Sequence, residues 1–206
     1  MKAVIKICGI RCANDIEEIN KYPEIKYAGF VFYKKSKRCV TKEIASELVK
    51  LLRSDIKAVG VFAENSLEEV KEIADFAGLD ILQLHSDEDE AFCNGLKGYH
   101  LWRAVRMKNR QALENVESLP VEGFVLDSYT DQYGGCGKTF DWNLAEDFAK
   151  GHFTMVAGGI GEHNIIEACK KIKPNGVDLS SAVETDGCKD GEKIKRLIET
   201  FRKGDF

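Results

Sequence analysis

Two side chains in this sequence combine a reactive group with a position where chemistry is possible. Cys8 closes the apolar run "VIKIC" and is followed at once by Gly9; Asp127 closes "GFVLD". A thiol at a strand end is within reach of a substrate, and a nearby helix N-terminus would favour its thiolate, the form that accepts protons. A carboxyl group in apolar surroundings holds its proton more tightly, as a general acid must. Each residue also has a plainer reading. Cysteine is often just a small buried hydrophobe, and aspartate often caps a turn. Other candidates come with the same two-sided choice. Gly158, Gly159 and Gly161, with Ser180 and Ser181 after Asp178, are either ordinary turn residues or a backbone cradle for phosphate. Arg38 is either a solvated cation beside Lys34, Lys35 and Lys37 or a planar fork for a carboxylate. His85, at the end of "LQLH", is either a hydrogen-bonded structural residue or a ligand contact.

Elements that would position these groups follow from hydrophobic period. Strand-like runs occur at 4–10, 27–33, 57–63, 81–85, 99–105, 123–128, 153–159 and 176–183. Most are short and almost continuously apolar, as parallel strands covered on both faces are. Amphipathic segments separate them. "TKEIASELVKLLRS" aligns Ile44, Leu48, Leu51 and Leu52, while Ser66 with Glu69 has capping-box spacing and Gly78 supplies a stop. Further helix signals follow Arg11, His85, Lys108, Asp141 and Gly161, and "DGEKIKRLIETFRK" gives another near the C-terminus. Eight strand–helix units in 206 residues predict an α/β fold, a single (β/α)8 TIM barrel over 1–206. A doubly wound dinucleotide fold would want G-x-G-x-x-G after the first strand, where this chain has "CGIRCAND". In a barrel, chemistry sits where strands end, so Cys8 and Asp127, from the first and sixth strands, would face one mouth from opposite sides. The loops after strands seven and eight are the recurrent phosphate site of that fold.

Composition narrows the partners. A net charge of −4 with no basic cluster argues against nucleic acid, and no apolar run approaches a membrane span. Seven scattered cysteines without a C-x-x-C pair argue against zinc ribbons and disulfide scaffolds and fit reduced thiols in a cytoplasmic protein. "GGCGKTFDW" (134–142) reads as a flexible loop over the mouth, and it lacks the spacing of a nucleotide-binding P-loop.

Taken in order, "KICGI", "GFVFYKKSKR", "VGVF", "LQLH", "LD…YGGCGKTFDW", "AGGI…N" and "GVDLSSAVE…G…KD" resemble the phosphoribosylanthranilate isomerase family of tryptophan biosynthesis, from residue 4 to about 201. The resemblance implies an Amadori rearrangement of a small phosphosugar, N-(5-phosphoribosyl)anthranilate, by a monomer or homodimer. No metal or organic cofactor is expected, because the substrate's own protonated imine is the electron sink. It further implies Asp127 as acid, Cys8 as base, Arg38 at the anthranilate carboxylate, and Gly158, Gly159, Ser180 and Ser181 at the phosphate. His85 and Asp178 would orient and support. Several residues depart from the family pattern. Lys37 replaces a proline before Arg38, which predicts a less preorganised arginine. Cys12 and Cys136 stand in place of threonines, and Ser86 and Ala182 in place of glycines. Rival phosphosugar barrels fit less well. A metal-dependent epimerase would gather His and carboxylate ligands at several strand ends, and indole-glycerol-phosphate synthase would use lysines, a glutamate and an N-terminal extension.

Overall fold

In the computed structural model, which describes residues 3–128 and 139–204, eight parallel strands close on themselves. They are Val4–Cys8 (β1), Ile25–Val31 (β2), Lys57–Phe62 (β3), Ile81–Leu84 (β4), His100–Met107 (β5), Gly123–Ser128 (β6), Thr154–Val156 (β7) and Gly176–Leu179 (β8). Each pairs with its successor, and β8 returns to β1 with Lys6 beside Asp178 and Ile7 beside Leu179. Helices follow as Ala13–Asn20 (α1), Lys42–Val49 (α2), Leu67–Ala77 (α3), Glu90–Gly95 (α4), Gln111–Glu114 (α5), Glu146–Gly151 (α6), Ile165–Ile172 (α7) and Gly191–Lys203 (α8). The expected barrel is therefore the observed one.

Strand alternation divides each β-segment between two cores. One set of side chains, including Ile5, Ile7, Phe30 and Leu126, points outward into the layer beneath the helices and is fully buried. The other set fills the barrel. Val59, Ile81, Trp102, Val125 and Met155 pack as a plug, flanked by Tyr27 and Phe153. Trp102 anchors it, edge-on to Tyr27 at 4.8 Å and tilted against Phe153 at 5.2 Å. The plug closes the N-terminal end, leaving polar side chains to occupy the layer above it.

Helix boundaries obey local chemistry. Ser66 accepts from the Glu69 N–H while the Glu69 carboxylate accepts from the Ser66 N–H, and Gly78 ends α3 in the left-handed region at φ 67°. The face expected for α2 is corrected. Ala45 and Leu48 are buried, but Ile44 and Leu51 are 45% and 52% exposed. The helix stops at Val49, so Leu51 and Leu52 no longer continue its angular steps. Two runs read as longer strands also end early. β7 stops at Val156 and gives way to glycines, and after β8 the chain tightens into a 3-10 turn at Ser181–Val183. Beyond that turn, Glu184–Thr185 (β9) and Cys188–Lys189 (β10) form a small antiparallel hairpin. No helix among the described residues is long and apolar enough to cross a membrane.

Candidate active site

Above the apolar plug, inward positions carry polar groups: Lys6 and Cys8 from β1, Gln83 and then His85 from β4, Asp127 from β6 and Asp178 from β8. A cavity of about 440 Å³ opens over them at the C-terminal ends of the strands, within the usual size of a small-molecule site. Cys8, Arg38, His85, Asp127, Gly158, Gly159, Asp178, Ser180 and Ser181 all line it. The residues named in the sequence as candidates for catalysis or substrate binding are thus brought to one cavity. Of the expected lid, Phe140 is buried against the core and Trp142 packs partly against it; residues 134–138, with Cys136, lie outside the described region.

Asp127 has the environment of an acid. Burial is the largest influence and the Asp178 charge adds to it, while the Ser128 N–H, 2.8 Å from Oδ1, and the Lys6 and Arg106 charges oppose; the carboxyl is pushed up to about 6. At pH 7 about a tenth of the molecules then carry the proton. His85 Nε2 stands 3.7 Å from Asp127 Oδ2. Burial, then the cations Arg106, Lys6 and Arg103, bring the imidazole down to about 4, so the pair is a neutral ring beside a carboxyl group and no salt bridge at neutral pH. Gly158 makes this arrangement possible. Its φ is +72°, and a Cβ there would fall 2.6 Å from Asp127 Oδ1 and 2.3 Å from Ser128 Oγ.

The thiol of Cys8 differs from expectation. Burial pushes its proton affinity up; Lys6 and Lys189 pull the other way, and Asp178 reinforces the burial. The Cys8 carbonyl is held firmly, accepting from Lys189 Nζ at 2.6 Å and from the Ser180 hydroxyl at 3.1 Å. Ser180 therefore uses its side chain to tie β8 to β1.

Arg38 is also better fixed than the lost proline suggested. Its Nε and Nη2 donate to the two oxygens of Glu184, at 2.8 and 2.6 Å, and its N–H donates to the Ser36 hydroxyl at 3.1 Å. Its stem packs so closely on Gly9 that a Cβ there would lie 2.5 Å from Arg38 Cδ. Burial works against the Glu184 charge, but the hydrogen bonds and charges of Arg38 and Lys189 bring it down to about 2. Lys37 contributes through its carbonyl, which accepts from Arg11 Nη1 at 3.1 Å.

The other departures also have local explanations. The Ser86 hydroxyl accepts from the N–H of Glu64, a residue at φ 61°, at 2.9 Å and so joins two neighbouring loops. Ala182 sits in the 3-10 turn outside the left-handed region, where a methyl group fits. At α1, the Asp15 carboxylate accepts from the N–H groups of Arg11 and Cys12, tying the chain before the helix to its first turn. Asn164 shapes the glycine turn, accepting from the Gly161 N–H and donating to the Gly159 carbonyl, both at 2.9 Å. Arg103, at the β5 strand, lies outside the cavity lining and pairs with Glu88 and, at 3.7 Å, with Asp87 of the β4–α4 loop.

Sequence reading assigned no role to Lys6, Gln83, Glu184 or Lys189. Lys6 could have been noticed as a charge inside an apolar strand, two residues from Cys8 and hence on the same face. Among the described residues no three His, Cys, Asp or Glu side chains gather as a metal site.

A closed parallel barrel with a carboxyl, a thiol and a double-glycine turn around one mouth defines a (β/α)8-barrel enzyme. A model of the family described as N-(5'-phosphoribosyl)anthranilate (PRA) isomerase matches residues 5–200, and the chain belongs to that family, an isomerase class. The chain is 45% identical over 212 aligned residues to N-(5'-phosphoribosyl)anthranilate isomerase of Acetivibrio thermocellus, the match covering 98% of this chain and 96% of that one. It superposes on the crystal structure of phosphoribosyl anthranilate isomerase from Thermotoga maritima with TM-score 0.89 at 31% identity, covering 98% and 99% of the two chains. A further relative, with TM-score 0.85 at 27% identity and covering 98% and 99%, was solved in complex with reduced 1-(o-carboxyphenylamino)-1-deoxyribulose 5-phosphate.

Proposed function

We propose that this chain, as one catalytic domain over residues 1–206, converts N-(5-phosphoribosyl)anthranilate to 1-(2-carboxyphenylamino)-1-deoxyribulose 5-phosphate in tryptophan biosynthesis. Asp127 serves as general acid and Cys8 as general base. The observation that carries the reading is the joint placement of Cys8 and Asp127 on one cavity that also holds Gly158, Gly159, Ser180 and Ser181.

Asp127 gives its proton to the furanose ring oxygen. The bond from that oxygen to C1 breaks as the nitrogen lone pair forms a C1=N double bond, leaving a cationic imine. Cys8 then removes the C2 proton, and the C–H electrons form C1=C2 as the imine electrons return to nitrogen. The resulting enolamine gains a proton at C1 while its 2-hydroxyl loses one, which yields the ketone with no net change in protons. Cys8 takes that proton as the thiolate, its own proton having first passed to solvent, so the cycle leaves Asp127 ionised and Cys8 protonated; burial makes the thiolate scarce. The cation created by ring opening lies next to the thiol and supplies the opposite charge that eases its deprotonation. The proton on Asp127 becomes tenfold scarcer with each pH unit above about 6, so the ring-opening step should slow on that side.

Arg38 would bind the anthranilate carboxylate through the guanidinium edge that Glu184 leaves open, and the two glycines at φ 72° and 66° let backbone approach the phosphate. Asp178 places Oδ2 on Lys6 and leaves Oδ1 buried without a partner among the described residues, ready to accept from a sugar hydroxyl. The test follows loss of substrate fluorescence on adding enzyme. Asp127→Asn and Cys8→Ala should each lower kcat by roughly 10²–10⁴-fold, the usual worth of acid–base catalysis, with substrate still bound. Turnover near the wild-type rate in either variant would reject the role given to that residue.

A further inference from the structure

Lys6 takes no proton in the scheme above, yet its side chain is completely buried and paired with Asp178, which lines the cavity. Burying an ammonium ion is unfavourable, and an apolar side chain would extend the plug of Val59, Ile81 and Met155 beneath it at lower cost. Retention of a charge here calls for a task. Lys6 and Cys8 are two residues apart on β1 and share its inward face. Asp178, the register partner of Lys6 on β8, accepts from Nζ at 2.8 Å.

We propose that Lys6 is a positioning residue for the base: its ammonium group is the counter-charge on which the Cys8 thiolate forms, with Asp178 holding it in place. This rests on the reading of Cys8 as the base and deepens it.

The other charged groups around the thiol are already engaged. Lys189 reaches the Cys8 carbonyl, the Ser180 carbonyl and Glu184, at 2.6, 3.4 and 2.6 Å, one acceptor for each of its three N–H donors. Arg38, from the β2–α2 loop, is clasped by Glu184. β2 presents Gly29 to the thiol and no charge; a Cβ there would lie 3.0 Å from Sγ. Asp127 on β6 and Asp178 on β8 carry the wrong sign for a thiolate, and His85 beyond β4 is neutral. Lys6 has Asp178 Oδ2 as its one carboxylate acceptor among the described residues, at 2.8 Å, and stands two residues from Cys8 on the same inward face of β1. The Asp178 carboxylate keeps the ammonium charged despite its burial.

The experiment measures iodoacetamide modification of Cys8 against pH, mapped by mass spectrometry, in wild type, Lys6→Met, Lys6→Arg and Asp178→Asn. Lys6→Met should slow modification about tenfold at neutral pH, equivalent to raising the thiol pKa by one unit. Its kcat should fall by a similar factor and recover toward high pH, while KM changes less than about twofold, since Lys6 is not placed on the substrate. Lys6→Arg should restore most of the rate. Asp178→Asn, which removes a negative charge, should instead speed modification. Unchanged modification in Lys6→Met, or shifts of the same sign in Lys6→Met and Asp178→Asn, would overturn the proposal. If Lys6→Met does not fold, Lys6→Gln takes its place, and an unchanged modification profile there overturns the proposal equally. Full turnover by Cys8→Ala would remove the base reading itself, a different result from an unmoved modification profile.

Discussion

Replacing Gly158 by alanine is a sharp test of how the acid is held. The new methyl would meet Asp127 Oδ1 at 2.6 Å and the Ser128 N–H nitrogen at 2.4 Å, where ordinary contact begins near 3.4 Å. The carboxyl must therefore retreat by about 0.8 Å (3.4 − 2.6), and the Ser128 backbone that orients it must move too. A displacement near 1 Å in a reacting group lowers rate by about 10²-fold. The residue also sits at φ +72°, which adds roughly 1–2 kcal/mol for any side chain with a Cβ. Steady-state kinetics should show kcat reduced about 10²-fold in Gly158→Ala, with a thermal melt confirming a folded but less stable protein. A glycine serving phosphate binding alone gives another pattern, in which KM rises and kcat holds. Wild-type kcat in a folded Gly158→Ala protein would refute the argument that this glycine makes room for the acid.

Asp127→Asn should make the protein more stable as well as inactive. The folded carboxyl binds its proton up to about 6 against an ordinary 3.8, so ionising it opposes folding by at most about 3 kcal/mol above pH 6. Chemical denaturation should find wild type and variant alike below pH 3.8, diverging through pH 4–6, with the variant ahead at pH 7. His85 gives the opposite sign, because its ring is brought from 6.5 down to about 4. The stability it contributes as a neutral ring is complete above pH 6.5 and fades as pH falls through 4, so His85→Gln should blunt acid unfolding over that window. Glu184→Gln leaves Lys189 buried with a weaker partner and Arg38 loosely held, and should raise KM several-fold with a loss of about 3 kcal/mol or more in denaturant titration. Trp102→Ala opens the barrel plug and should cost about 3–5 kcal/mol while leaving the cavity residues in place, read by the melt and by retained substrate affinity.

The barrel was legible because each strand buried on both faces reads as a short apolar run, and the polar groups that interrupt those runs mark the rim. Cys8, Asp127 and the Gly158–Gly159 pair could be found that way. Lys6 could not be given a role, since its meaning depends on Asp178, 172 residues away, and only closure of the sheet brings the two together. Glu184 and Lys189 were hidden for a related reason: they reach Arg38 and Cys8 through a two-strand hairpin too short to leave a period. The proton affinities of Cys8 and Asp127 were beyond sequence as well. Residue type sets a starting value, and burial and neighbouring charges set the shift.

The carbonyl of residue 8 is gripped by side chains at 180 and 189. A growing polypeptide consequently cannot own a working pocket until nearly all of it has left the ribosome, however early its first strand emerges. Shortened products ending before residue 180 should be inert, whereas re-cutting the ring elsewhere and splicing the old ends would keep the clasp.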